Sequence, residues 1–204
     1  MSQHRKMIAL CGVLVCVGGG SLLAWWLWQG PHELGRVEAE YPWQKATVSV
    51  EGEECSVEYC KFGHGVSIET KPYWKQEAST PEEAAAAQLT CLRTGGKAED
   101  YLRLYWKPDE ARDSLVATYG SMKEFVKANR EIRQAVLLGT VKYGDLSIVA
   151  VKVSATDDAD GWATAGLCYA KHNGRYYAME KPHTQMMKWL SQNDYLLTQD
   201  GESK

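Results

Sequence analysis

Cysteine is the residue type in this chain with the most chemistry to offer. Four of the six cysteines, Cys55, Cys60, Cys91 and Cys168, lie in the C-terminal three quarters of the sequence, an even number that suits disulfides in an oxidising compartment. Of the three possible pairings we expect Cys55–Cys60 and Cys91–Cys168, the first because its members are close in sequence. On one straight strand Cys55 and Cys60 would point to opposite faces, so this pair requires residues 56–59 to turn.

A metal site is the alternative for the same residues. Cys55, Cys60 and His64 have a C-x4-C-x3-H spacing, and thiolate and imidazole groups are zinc ligands. The sequence offers no fourth ligand, and His64 lies between Gly63 and Gly65, a pattern typical of an exposed turn. We therefore predict no metal and no cofactor. The chain also contains no G-x-S-x-G, H-E-x-x-H, phosphate-loop or dinucleotide motif, so we predict no catalytic residue.

Residues 7–28 carry no charge and predict a single-pass membrane anchor. A helix over this run would be roughly 33 Å long, enough for a bilayer core of about 30 Å. Three tryptophans cluster at its far end, where indole rings favour the membrane–water interface, and Arg5 and Lys6 precede it. The positive-inside rule then keeps residues 1–6 in the cytoplasm and exports the rest to the periplasmic or extracytoplasmic side.

Two other interpretations of the N-terminal run stay open. One is a cleaved signal peptide whose apolar part is residues 7–17, and the other is a lipoprotein modified at Cys11 or Cys16. The apolar run resumes at Leu22, beyond the small residues of a cleavage site, and a bulky residue precedes each of the two cysteines. The anchor is therefore the interpretation that we carry forward.

The charge balance argues against a nucleic-acid binder. The 204-residue chain has 23 basic and 26 acidic residues, and two of the basic ones precede residue 30. Residues 30–204 thus carry 21 basic and 26 acidic side chains, a formal charge of -5. A nucleic-acid-binding domain would be basic, and nothing here forms a polybasic patch for anionic lipid. We expect the membrane to hold the domain through its anchor alone.

Hydrophobic periodicity divides the exported part into segments. We predict a linker at 29–45, a small β segment at 46–75, an α+β domain at 79–197 and a disordered tail at 198–204. We also predict an extra C-terminal helix at 184–197. It presents one apolar face, made of Met186, Met187, Leu190 and Leu197.

The α+β domain opens with helices and continues with strands. Thr80, Pro81 and Glu83 are typical of a helix start, as N-cap, first-turn proline and capping-box acid. Helices are predicted over 81–94, 98–106, 108–119 and 121–134. Strands are predicted over 135–142, 146–155, 162–171 and 175–180. Asn173-Gly174 predicts the last hairpin, and consecutive strands after consecutive helices indicate an antiparallel sheet.

This order of elements resembles the nuclear transport factor 2-like superfamily, in particular its small exported bacterial members of unknown function. The residues that carry the resemblance are TPEEAAAAQLTCLRTGGKAEDYLRLYW at 80–106 and the closing NGRYYAME at 173–180. It covers about residues 80–180, with Tyr176 or Tyr177 where that family usually has a tryptophan. It implies a cone-like fold in which the helices pack on a curved, four-stranded antiparallel sheet.

The resemblance also implies a concave interior. The aromatic residues that would line or plug this cavity are Tyr101, Tyr105, Trp106, Tyr119 and Trp162. Core packing is the alternative for each, because aromatic residues at helical spacing commonly fill space. The superfamily includes isomerases, dehydratases, ligand-binding proteins and protein-contact modules, so the fold does not choose the function.

We expect a membrane-anchored, exported and non-catalytic domain that binds a protein partner or a small apolar ligand, self-association included. One alternative is an assembly component of an envelope or secretion complex, like the inner-membrane type IV secretion components that share this plan. The other is a ketosteroid-isomerase-like enzyme, which would need an acid such as Asp100 or Asp145 facing Tyr105. Both acids lie at a helix start or a turn, where acids are common.

Overall fold

The protein is an α+β structure built on one antiparallel sheet, as predicted. A computed structural model describes residues 41–50, 53–155 and 162–179. The strands are β1 (Gln44–Val50), β2 (Glu53–Ser67), β3 (Gln134–Tyr143), β4 (Leu146–Ser154), β5 (Trp162–His172) and β6 (Arg175–Ala178). The helices are α1 (Pro81–Cys91), α2 (Ala98–Leu102), α3 (Pro108–Tyr119) and α4 (Met122–Arg130), preceded by a 3-10 turn at Tyr73–Lys75. The predicted anchor at 7–28 and C-terminal helix at 184–197 lie outside the described residues.

Within the described residues the sheet has six strands, so the prediction of a four-stranded sheet is wrong. Its order is β1-β2-β3-β4-β5-β6, each strand antiparallel to the next. The two additional strands come from the β segment before the helices: β2 pairs with β3, with Cys60 opposite Thr140. This pairing satisfies the backbone of β3 on the side away from β4, which would otherwise be an open sheet edge.

The glycines around His64 form an irregularity within β2, and the turn expected there is wrong. β2 runs unbroken from Glu53 to Ser67. Gly63 and Gly65 have positive φ angles of 52° and 86°. Between Lys61 and Val66, β2 advances five residues while β3 advances two, from Gly139 to Leu137. The two glycines therefore act as a bulge that keeps the chain on the same partner strand.

The start of α1 confirms the predicted capping box. Thr80 is in the extended conformation, and its hydroxyl accepts from the Glu83 N–H at 3.2 Å. The Glu83 carboxylate accepts in return from the Thr80 N–H at 3.2 Å, and Pro81 fills the first helical position. Two orphan backbone donors are thereby satisfied, which fixes where the helix begins over the sheet.

The helix α2 is shorter than predicted because the backbone that follows it forms hydrogen bonds with the sheet. It ends at Leu102, although the apolar pattern continues to Trp106. The N–H of Ala178 in β6 donates to the Leu104 carbonyl at 2.8 Å, and the Trp106 N–H donates to the Ala178 carbonyl at 3.1 Å. These strand-like hydrogen bonds compete with continuation of the helix.

The two faces of the sheet bury different residues. The described helices pack on one face, the inner face, to which β4 contributes Val149 and Val151. The alternating residues of β4, Ile148 and Ala150, belong to a second cluster on the outer face. We call this the outer cluster; its buried members are Val57, Val141, Ile148, Ala150 and Cys168. A sheet buried on both faces explains why β4 reads as a nearly continuous apolar run.

Candidate functional site

Three tyrosines meet one glutamine on the inner face of the sheet, and we call this group the tyrosine cluster. The Gln88 side-chain amide donates from Nε2 to the hydroxyls of Tyr101 at 3.0 Å and Tyr105 at 2.8 Å. Its Oε1 accepts from the hydroxyl of Tyr169 at 2.8 Å. The Tyr105 and Tyr101 hydroxyls are themselves 3.3 Å apart. One side chain therefore engages all three phenols, which are themselves buried.

Regular structure places each member of the tyrosine cluster. Gln88 follows four alanines in α1, whose small side chains bring that helix close to the sheet. Tyr101 lies in α2, and Tyr105 lies just beyond that helix, where it forms a bridge with Ala178 of β6. Tyr169 lies at an inner-facing position of β5, opposite Ser147 of β4. The cluster thus joins two helical segments to the sheet.

A buried carboxylate lies close to the tyrosine cluster. Glu82 in the first turn of α1 has 0% of its surface exposed, and its Oε1 accepts from the hydroxyl of Thr140 on β3. Burial raises the pKa of the Tyr169 hydroxyl well above 10.0, with smaller contributions from Tyr101, Cys168 and Glu82. The phenol therefore stays protonated at neutral pH and serves as the donor to Gln88.

Of the five predicted cavity aromatics, the structure brings two together, Tyr101 and Tyr105. Trp106 is 45% exposed, and its ring lies 3.8 Å from that of His172. Tyr119 is 40% exposed at the end of α3. Trp162 begins β5, half-buried, with the Lys152 ammonium 5.4 Å from its ring centre. These last three lie apart from the tyrosine cluster, at element ends or beside polar neighbours.

The two acids of the enzyme alternative have local structural roles. The Asp100 carboxylate accepts from the Lys97 N–H at 2.9 Å, which caps the start of α2. Asp145 is exposed in the turn between β3 and β4. Sequence reasoning passed over the buried acid, Glu82. The available signal was that a capping box uses only one of the two adjacent first-turn acids, which leaves Glu82 unexplained.

The four cysteines among the described residues are free thiols, so the predicted disulfides Cys55–Cys60 and Cys91–Cys168 are wrong. Cys60 and Cys91 lie in the core of the inner face, whereas Cys168 belongs to the outer cluster and Cys55 packs against it. Each predicted pair would thus join thiols on opposite faces of the sheet. No group of three or more metal-binding side chains occurs within the described part of the chain.

Alkaline pH is expected to weaken the fold through the buried thiols. Burial raises the pKa of Cys168 from 9.0 to about 12, and burial with the nearby Asp100 charge does the same for Cys91. Because the folded-state pKa is the higher one, this stability is complete below pH 9 and is lost as the pH rises toward 12. At pH 10 we expect a loss of about 1.4 kcal/mol for each thiol.

Urea unfolding of the full chain in detergent at pH 8 and pH 10 measures this loss. Cys168→Ala is the control, because it removes one titrating thiol and leaves the other. The variant should show a pH-dependent loss of unfolding free energy that is smaller by about 1.4 kcal/mol. An equal loss in both proteins would contradict the assignment to Cys168.

A groove of about 520 Å³ runs along α4 on the surface, and we call it the α4 groove. Its lining residues are Ala98, Met122, Lys123, Val126, Lys127, Arg130 and Glu131. Met122 and Val126 are half-buried and provide an apolar floor, while Lys123, Lys127 and Arg130 are exposed around it. Met122, Phe125 and Val126 follow the helical period along one side of α4. Only Phe125 is fully buried, because the apolar arc of α4 is wider than its contact with the core.

The comparisons with known proteins add no relative. No helix within residues 41–50, 53–155 and 162–179 is long and apolar enough to cross a bilayer. The predicted anchor lies outside those ranges. No family model, curated protein or solved structure matches the chain.

Proposed function

We propose that this protein is a membrane-anchored, exported domain with the nuclear transport factor 2-like plan, and that it acts by binding a protein partner in the α4 groove. The observation that carries the proposal is the composition of this groove. Its floor is apolar, with Met122 and Val126 half-buried, and three of its seven lining residues are cationic against one anionic residue. An apolar centre surrounded by a polar rim is the usual anatomy of a protein-binding site.

The hydrogen bonds of the tyrosine cluster favour a function in binding at the surface over catalysis in the interior. The polar groups of the tyrosine cluster are engaged with one another: Gln88 uses both its amide nitrogen and its carbonyl oxygen on the phenols. A satisfied hydrogen-bond network of this kind rigidifies a core. A catalytic interior would instead aim such groups at a substrate.

The charge of the α4 groove indicates what kind of partner it would bind. None of Lys123, Lys127 and Arg130 forms an ion pair with another residue of the described part of the chain. Residues 30–204 as a whole carry a charge of -5, so this basic site stands out on an acidic domain. An acidic segment with one or two apolar anchor residues would match both the floor and the rim.

Charge reversal in the α4 groove is expected to weaken binding of such a segment at least tenfold. The probe is a fluorescent twelve-residue peptide in which two leucines are flanked by glutamates, titrated into the full chain in detergent. Lys127→Glu/Arg130→Glu replaces two rim attractions by repulsions, each worth up to about 1 kcal/mol at an exposed site, and tenfold corresponds to about 1.4 kcal/mol. Fluorescence anisotropy gives the Kd.

Lys45→Glu/Lys171→Glu is the matched control, because it changes the net charge equally at exposed positions on β1 and β5. It should leave the Kd within about twofold. Equal weakening by both double variants would show a response to net charge alone. Equal binding of a peptide with lysines in place of the glutamates would overturn the acidic-partner proposal. Binding of a small apolar dye in the groove, with no binding of either peptide, would favour a small-ligand site.

A further inference from the structure

The outer face of the sheet is buried as deeply as a protein core. Val57, Val141, Ile148, Ala150 and Cys168 of the outer cluster are 2–6% exposed. They come from four adjacent strands, β2 to β5, so the buried area extends across the middle of the sheet. Side chains this deeply buried need a layer of atoms above them.

The described helices do not supply that layer. The core residues from α1, α2, α3 and α4 belong to the cluster on the inner face. Neither the outer cluster nor the half-buried residues packed against it include a residue of these helices; the half-buried group is Ala46, Cys55, Tyr59, Leu138, Leu146 and Met179. The layer therefore comes from a part of the chain beyond the described residues or from another molecule.

The chain leaves β6 on the outer side of the sheet. Met179 directly follows β6, and its N–H donates to the Cys168 carbonyl at 2.9 Å. Its side chain packs against the outer cluster. Residue 180 and those after it thus start beside the face that has to be covered.

The C-terminal segment has the length and the pattern to cover this face. On a helical wheel of 184–197, Met186, Leu190 and Leu197 fall within about 40° of one another, with Met187 beside them, while Lys188 and Gln192 lie on the opposite side. Fourteen residues make a helix of about 21 Å, and four strands at about 4.8 Å spacing span about 14 Å. Residues 180–183 bridge up to about 13 Å.

We infer that residues 184–197 form an amphipathic helix that packs on the outer cluster of the same chain. This docking is intramolecular and leaves the α4 groove, on the inner-face side of the fold, free for a partner. Its four apolar residues would lie near Cys168 and Cys55, which serve as native reporters. It does not depend on the proposed partner binding.

Disulfide cross-linking of the full chain in its native membranes tests the inference. Single cysteines are introduced at Met186, Met187, Leu190 and Leu197, with Lys188→Cys and Gln192→Cys as controls from the opposite side of the helix. After mild oxidation, peptide mass mapping identifies the bonds formed. We expect at least one apolar-face variant to bond to Cys55 or Cys168 within one chain, at least fivefold more than either control. Bonds only between two chains, or equal yields at both sides of the helix, would overturn the inference.

Maleimide labelling gives an independent readout. Met187→Asp/Leu190→Asp should release the helix and make Cys168 label at least fivefold faster than in the unmodified chain or in Lys188→Asp/Gln192→Asp. Cys60 and Cys91 lie in the inner-face core, so their labelling reports global unfolding. Their labelling should remain slow. An unchanged Cys168 rate while the inner thiols stay protected would show that something else covers the outer cluster.

Discussion

Replacing Gln88 by leucine is expected to lower the free energy of unfolding by about 3 kcal/mol. Leucine fills a similar volume, so a cavity is not the cause. The fully buried Tyr169 hydroxyl loses its acceptor, and the Tyr101 and Tyr105 hydroxyls lose a shared donor. A buried polar group left without its partner costs about 1–3 kcal/mol, and the Tyr169 hydroxyl carries most of this cost.

A double-mutant cycle with Tyr169→Phe shows whether the cluster acts as one network. The phenylalanine removes the hydroxyl that Gln88→Leu would strand, so the double variant should be at least 1 kcal/mol more stable than the sum of the two losses implies. Urea unfolding of the full chain in detergent, followed by tryptophan fluorescence, measures all four proteins. Additive losses would mean that Gln88 and Tyr169 do not depend on each other.

The same experiment bears on the function. If Gln88 were held ready for a ligand in an open cavity, its replacement by leucine would change binding and leave stability nearly unchanged. A loss of about 3 kcal/mol, as expected for buried groups that satisfy one another, supports a filled interior. It would then point the search for a partner to the surface, where the α4 groove lies.

Local sequence signals predicted the elements well where one short pattern decides the structure. The capping box at Thr80 fixed the start of α1, and Asn173-Gly174 formed the predicted hairpin with positive φ angles at both residues. The strands β3 to β6 begin within one residue of their predicted starts. In each of these cases the determining contacts lie within a few residues, so the sequence pattern contains them.

The wrong predictions concern features that depend on contacts between residues far apart in the sequence. Whether Gly63 and Gly65 form a turn or a bulge depends on β3, about 70 residues later, and this decided the number of strands. Cys55 and Cys60 face opposite sides because β2 stays extended between them. In the sequence, Gln88 is one polar residue after four alanines. Its role in the tyrosine cluster depends on a hydrogen bond from Tyr169, which lies 81 residues away in the chain.

The second large effect is expected at the bulge in β2, where Gly65→Ala should cost about 3 kcal/mol of unfolding free energy. Gly65 has φ = 86°, a conformation that costs a non-glycine residue about 1–2 kcal/mol. A Cβ atom there would also clash with Val136 Cγ1 and lie 3.2 Å from the Leu137 carbonyl oxygen of β3. Forcing an extra methyl group into such a contact adds about 1–3 kcal/mol.

Gly63→Ala is the matched control for the strain alone. Its φ of 52° is also positive, but the nearest atom to a Cβ there is Tyr41 Cε1 at 3.7 Å, an ordinary contact, so we expect a loss of about 1 kcal/mol. Val136→Ala removes the methyl group that clashes. If the close approach of β2 to β3 is the main cost, Gly65→Ala should be less harmful in the Val136→Ala background by about 1 kcal/mol. Equal losses for the two glycine variants, with no rescue by Val136→Ala, would mean that backbone conformation alone selects glycine at the bulge and that β3 does not constrain it.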